Sequence, residues 1–169
     1  MKIEQELKNF ANIVVKESKT SLTKKKKNVS KELYNSIDYD LKVSKNSFTL
    51  SFTMAEHGKF IDKGVKGAKS SLKAPMSPYS YKSGAENRPS PKYFDKWVVK
   101  RGLATRNKKG QFVSRESLKF AIATAVQNYG IETTNFFTKP FENAFKRLPD
   151  DLVEAFGLEV DNFLKYSLK

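Results

Sequence analysis

"IDYDLKVSKNSFTLSFTM" (residues 37–54) decides the fold class. Ile37, Tyr39, Leu41 and Val43 alternate with polar residues, and Phe48, Leu50, Phe52 and Met54 alternate with serine and threonine. A period of two puts every second side chain on one face of a pleated strand. Two such runs joined by the short "SKN" predict a half-buried antiparallel hairpin over about 37–54. Two strands alone do not hold in water, so the rest of the chain must cover their apolar face.

The flanks read as helices. Over residues 2–23, Ile3, Leu7, Phe10, Val14 and Leu22 recur at helical spacing, and the cluster Lys24, Lys25, Lys26 and Lys27 is too charged to continue a packed face. Ser30 is placed to cap a short helix through Leu33 and Tyr34. Beyond the hairpin, residues 55–62 suggest another short helix. Ser90 and Pro91 then open a helix in which Phe94, Trp97, Val98 and the stem of Arg101 share a face and Gly102 is the stop. Ser114 caps a longer helix with an expected stripe of Leu118, Ala121, Ile122, Ala125, Val126 and Tyr129, closed by Gly130. Pro140 biases Lys139 away from helix and opens a helix carrying Phe141, Ala144 and Phe145. A last helix is expected from Asp150, with Leu152, Val153, Phe156, Val160, Phe163 and Leu164 on one side. The sum is α+β: a small antiparallel sheet packed by N-terminal and C-terminal helices, in a single domain over 1–169.

Residues 64–91, "GVKGAKSSLKAPMSPYSYKSGAENRPSP", fit neither period. They carry Lys66, Lys69, Lys73, Lys82 and Arg88 against Glu86, with Tyr79 and Tyr81 between the prolines. Such length without periodicity suggests an extended arm that makes contacts. The tyrosines suit either stacking on exposed bases or a protein interface.

The chain has 169 residues, 38% of them hydrophobic, 13 Phe, 7 Tyr, no Cys and a net charge of +14. Mean hydropathy is −0.59. Six acids face four bases from residue 142 onward, a net −2, which leaves +16 on residues 1–141. That excess implies an anionic partner: nucleic acid, an acidic protein surface or a membrane surface. Without cysteine there is neither a disulfide framework nor a thiolate metal site. No apolar run has the length of a signal or membrane segment, so no membrane partner is expected.

Chemistry is sparse. The one histidine, His57, has no second His or Cys for zinc and no orienting partner at helical spacing. Asp38 and Asp40 share a strand face, as solvent-facing acids routinely do. "GVKGAKS" lacks the spacing of a phosphate-binding loop. No enzymatic activity, metal or cofactor is expected. The basic residues Lys24, Lys25, Lys26, Lys27, Arg106, Lys108 and Lys109 are the candidates for an anionic contact, without sequence-specific readout.

The order of landmarks resembles that of the tail-completion, or neck, proteins of tailed bacteriophages. Leu33, Ser36 and Ile37 match a Leu-x-x-Ser-Ile segment ahead of the hairpin. Phe60, Ile61, Asp62 and Gly64 follow it at a Tyr-x-x-apolar-apolar-Glu-apolar-Gly-Thr-like place, with Val65 where Thr is usual. Pro140, Phe141, Ala144 and Phe145 match a closing Pro-Phe segment that lacks its second proline. The long insertion, with "PYSYK" and "FDKWVVKRG", is similar to versions from crAss-like phages of intestinal Bacteroidetes. The resemblance implies a virion protein assembled in the bacterial cytoplasm. It would form a homo-oligomeric ring between portal and tail proteins, with sequence-independent contact to passing DNA. It also implies that Lys66, Lys69, Lys73, Tyr79, Tyr81 and Arg88 belong to an assembly arm. The other reading of the charge is a nonspecific nucleic-acid-binding protein.

Overall fold

A computed structural model describes residues 2–27, 30–44, 47–150 and 153. The elements are α1 (Lys2–Lys24), α2 (Glu32–Ser36), β1 (Asp38–Val43), β2 (Phe48–Thr53), α3 (Gly58–Lys63), α4 (Asp95–Lys100), α5 (Arg115–Tyr129) and α6 (Thr138–Phe145), with 3-10 turns at Ala85–Asn87 and Pro91–Phe94. The class is α+β, as the alternation requires. The expected single domain is organised as two compact units. One holds the chain up to Gly58 together with that from Asn135 onward, and the other spans Lys59–Thr134.

In the first unit β1 and β2 pair antiparallel, with Tyr39 opposite Phe52 and Leu41 opposite Leu50. Leu50 and Phe52 are buried, whereas Asp38, Asp40 and Lys42 face solvent. One sheet face is therefore wet and the other dry, which fixes the register. α1 packs on β1 and α6 through Leu7, Phe10, Ala11, Val14, Ser18 and Leu22. Ile3, expected on that stripe, is 41% exposed. Ala11 and Ser18 complete the buried face. The core is aromatic: the Phe52 ring sits 5.3 Å from Phe137, 5.9 Å from Phe141 and 6.3 Å from Phe10, edge to face in each case. Such pairs add roughly 0.5–1.5 kcal/mol each beyond simple area burial.

Two local expectations change here. Lys31, not Ser30, occupies the N-cap of α2, in a left-handed conformation with φ 58°. Ser30 Oγ only reaches to 3.5 Å from the Glu32 amide, the outer limit of a hydrogen bond. α6 begins at Thr138, so Lys139 is helical and Pro140 is its third residue. The first four amides of a helix have no partner within it, so a missing N–H there costs nothing. The expected terminal helix lies outside the described residues, apart from Asp150 and Val153.

The second unit is built on α5. Ser114 caps it as expected, accepting from the Ser117 amide at 3.2 Å. The buried stripe is not the expected one. Lys119, Ala123 and Gln127 point inward, Leu118, Ile122 and Val126 are half-buried, and Ala121, Ala125 and Tyr129 are exposed. Polar side chains hold an inward face only when satisfied. Lys119 Nζ lies 3.1 Å from Asp95 and 2.6 Å from Glu116. Gln127 Nε2 donates to the carbonyls of Lys82 at 2.9 Å and Gly84 at 2.7 Å.

Residues 64–91 are irregular but are not an extended arm. Val65 and Ile131 exchange both backbone hydrogen bonds, at 2.9 and 2.8 Å. Lys66 pairs with residues 79–81 in an isolated bridge, its amide donating to Tyr79 O and its carbonyl accepting from the Tyr81 amide, each at 2.9 Å. Ala68 and Lys69 donate to the carbonyls of Gln127 and Asn128 at the end of α5. Ala74 and Ser77 are buried, and Ser77 Oγ donates to Gly64 O at 2.7 Å. Backbone pairing, which leaves no mark in hydrophobic periodicity, orders this segment. Gly67 permits it, because a Cβ there would collide with the Asn128 and Tyr129 backbone.

Candidate interaction surfaces

The residues assigned to an assembly arm separate by role. Tyr79 packs edge to face on Phe60, ring centroids 4.8 Å apart. Tyr81 is half-buried, and burial raises the pKa of its hydroxyl. The Arg88 guanidinium lies 4.4 Å from the centroid of the Phe120 ring, and its Nε is buried without a hydrogen-bond partner. These three brace the second unit. Lys69 and Lys73 have exposed side chains, while their backbones bond to Asn128 and Thr133. Lys66 is half-buried at the pairing with 79–81.

The exposed apolar groups of this segment are ones the sequence did not single out. Leu72 is 89% and Met76 92% exposed, on either side of buried Ala74. Tyr93, Val99, Leu103, Phe112, Phe120 and Tyr129 are also large, apolar and exposed. Eight of the nine such residues among those described lie in the Lys59–Thr134 unit, and the ninth is Ile3. From Ser117 to Tyr129, α5 carries one charged residue, Lys119, and that one is buried. Beyond Arg115 and Glu116, α5 itself contributes no exposed charge in a chain that is 30% charged. A patch lacking that charge is unusual for a surface meant only for water.

Arg106, Lys108 and Lys109 sit on a formed turn. Arg106 pairs with Phe112 across it, stacks its guanidinium 4.1 Å from that ring's centroid, and donates to Gly110 O at 2.8 Å. Asn107 Oδ1 accepts from the amides of Lys109 and Gln111 at 2.9 and 3.1 Å. Arg106 is thereby part of the scaffold, and Lys108 and Lys109 are the charges presented at the tip. The whole stretch 101–112 is exposed.

Lys24 ends α1, with Lys25, Lys26 and Lys27 just after it, and Lys24 lines an open groove of about 820 Å³ shared by this helix and Tyr34. Lys16, Lys19, Lys24, Thr20, Thr23 and Tyr34 line it, and no lining residue is acidic. Lys19 Nζ lies over the Tyr34 ring, 5.5 Å from its centroid. Lys16 and Lys19 were legible as an i, i+3 pair on the flank of the buried stripe, but a lysine pair on a helix is usually only solvated. The fold supplies what singles them out, since α2 brings Tyr34 alongside.

The landmarks that carry the family resemblance are structural. Leu33, Ile37, Phe141, Ala144 and Phe145 are buried, as is Pro140. Ser36 Oγ donates to Leu33 O and accepts from the Ala55 amide, both at 2.8 Å, tying α2 to the chain leaving β2. In the other unit Phe60 supports Tyr79. Asp62 is buried with its carboxylate 3.9 Å from Lys63 Nζ, and Gly64 leaves no room for a Cβ against Ile131, Thr133 and Ala74.

His57 is exposed just ahead of α3. Asp40 pairs with Lys42 at 3.6 Å in solvent. Among the described residues, no group of three or more His, Cys, Asp and Glu is placed to hold a metal ion. None of the described helices is long and apolar enough to cross a membrane. No family model, curated protein or solved structure matches this chain.

Proposed function

We propose that this chain is a structural, non-catalytic subunit of a ring in the neck of a tailed bacteriophage virion, joining portal to tail. The observation that carries this reading is the concentration of exposed apolar residues on the Lys59–Thr134 unit. Leu72, Met76, Tyr93, Phe112, and Phe120 and Tyr129 on α5, stand in water in the lone subunit. Subunits carrying +14 each repel one another, so close association requires faces free of charge. A ring built from head-to-tail contacts needs two different faces per subunit. The Leu72–Met76 loop, which also carries exposed Lys73, and the α5 face are two different apolar-rich surfaces. The order of the landmarks from Leu33 to Phe145 supports the same family, and their burial makes them scaffold rather than contact.

Quantitative mass spectrometry of purified particles tests the reading. The expected result is a copy number equal to that of the portal protein or a simple fraction of it. Absence from intact particles overturns the neck assignment and leaves a basic binding protein.

A further inference from the structure

We infer that the α1 groove is a binding site for the phosphodiester backbone of nucleic acid, with Lys16, Lys19 and Lys24 as the phosphate contacts. The groove combines three ammonium groups with the hydroxyls of Thr20, Thr23 and Tyr34, and has no carboxylate in its lining. None of the three lysines is ion-paired among the described residues, although other lysines of the chain, such as Lys8 and Lys119, are. Two of the three acids on α1 are engaged elsewhere: Glu4 holds Lys8 at 2.6 Å and Glu17 lies 3.5 Å from Arg147. The groove lysines therefore keep their charge available.

Its dimensions suit a backbone rather than a small anion. The lining runs along α1 from Asn12 to Lys24. At 1.5 Å per residue that is roughly 18 Å, the rise of about five base pairs of duplex. The groove, about 820 Å³, is open to solvent rather than a closed pocket for one phosphate. Lys19 already covers one face of the Tyr34 ring. Recognition falls to the lysine charges and the Tyr34 hydroxyl, since the Thr20 and Thr23 hydroxyls already donate to the carbonyls of Lys16 and Lys19 at 2.9 and 3.1 Å, and such contacts read phosphate without sequence. The Lys25, Lys26 and Lys27 run extends the positive potential past the end of the helix.

The inference stands apart from the ring assignment, because it concerns the isolated subunit. Three phosphate contacts contribute a slope of about −2.7 to log K against log salt on duplex DNA. That is a loss of about 40-fold between 50 and 200 mM from this site alone. The experiment is fluorescence anisotropy with a labelled 20-bp duplex and the matching single strand, across that salt range. The wild-type chain is compared with the triple variant K16Q/K19Q/K24Q and with K82Q/K139Q/K146Q, which removes the same charge elsewhere, each checked for folding by circular dichroism. The groove variant is expected to lose at least tenfold affinity at 50 mM and to show a slope shallower by two to three units, with the control close to wild type. Tighter binding of duplex or of single strand identifies the form preferred, and either result supports the site. Equal losses in the two variants, or no wild-type binding to either probe at 50 mM salt, overturn it.

Discussion

Gly67→Ala is the sharpest test of how the 64–91 segment is held. The Cβ introduced there would meet the carbonyl of Asn128, lying 2.5 Å from its carbon and 2.6 Å from that of Tyr129. Both are backbone atoms at the end of α5 and cannot swing away. The segment must lift, which strains three hydrogen bonds: Gly67 N to Ser70 O at 2.8 Å, Ala68 N to Gln127 O at 2.8 Å and Lys69 N to Asn128 O at 3.0 Å. At about 0.5–1.5 kcal/mol net for each, and with roughly 0.4–1 kcal/mol returned because alanine restricts the unfolded chain, the expected loss is about 2–3 kcal/mol. Gly102→Ala is the internal control. Gly102 has φ 59° and nothing within 4 Å of its added Cβ. Only the left-handed penalty applies, about 1–2 kcal/mol before the same unfolded-state gain, so the net cost is near 1 kcal/mol. The one tryptophan, Trp97, lies in the same unit and reports its unfolding. Urea titration followed by its fluorescence should move the Gly67→Ala midpoint by about 1 M, and the control by less than half of that. If Gly67→Ala costs no more than Gly102→Ala, the segment is not docked on α5 and the arm reading returns.

Further outcomes follow from the same coordinates. Phe52→Ala should cost about 3–5 kcal/mol, since the ring is 1% exposed and meets Phe10, Phe137 and Phe141; denaturant unfolding by circular dichroism measures it. Ser18→Ala should be neutral or stabilising by up to roughly 1 kcal/mol, because Ser18 Oγ is fully buried with no hydrogen-bond partner, and a clear loss of melting temperature would contradict that. Asp95 is held below the ordinary carboxylate value, first by its hydrogen bond from Lys119 and then by the Arg115 charge, against the opposing effect of desolvation. A carboxylate depressed in the folded state adds stability above its unfolded pKa and loses it as pH falls through the folded value. Asp95→Asn should therefore flatten the fall of melting temperature below about pH 4 and lower it at pH 7. Lys119 shifts the opposite way, raised first by its hydrogen bond to Glu116 and then by Asp95, so its contribution is present at neutral pH and fades only in strong alkali.

The hairpin, α1, the cap of α5 and its stop at Gly130 were legible because each rests on near neighbours in the chain. Strand alternation and the helical stripe of α1 are local patterns whose buried faces have one place to go. The α5 stripe misled for the opposite reason. Lys119 and Gln127 read as solvent-facing, and their inward placement depends on Asp95, Glu116 and the carbonyls of Lys82 and Gly84, mostly distant in sequence. Tyr79 and Tyr81 likewise read as contact residues until Phe60 and the Lys66 pairing claimed them.

Composition and order alone determined the α+β class, the basic character, the missing thiol chemistry and the landmarks on which the neck resemblance rests. Those properties are sums or short-range patterns, so no tertiary contact is needed to read them. Tertiary structure alone decided that residues 64–91 are stitched down, which apolar groups remain in water, and which lysines share a groove with Tyr34. Each of these depends on backbone bonds or side-chain proximity between segments that the sequence keeps apart. Hydrophobic period carries no record of a hydrogen bond between two main chains.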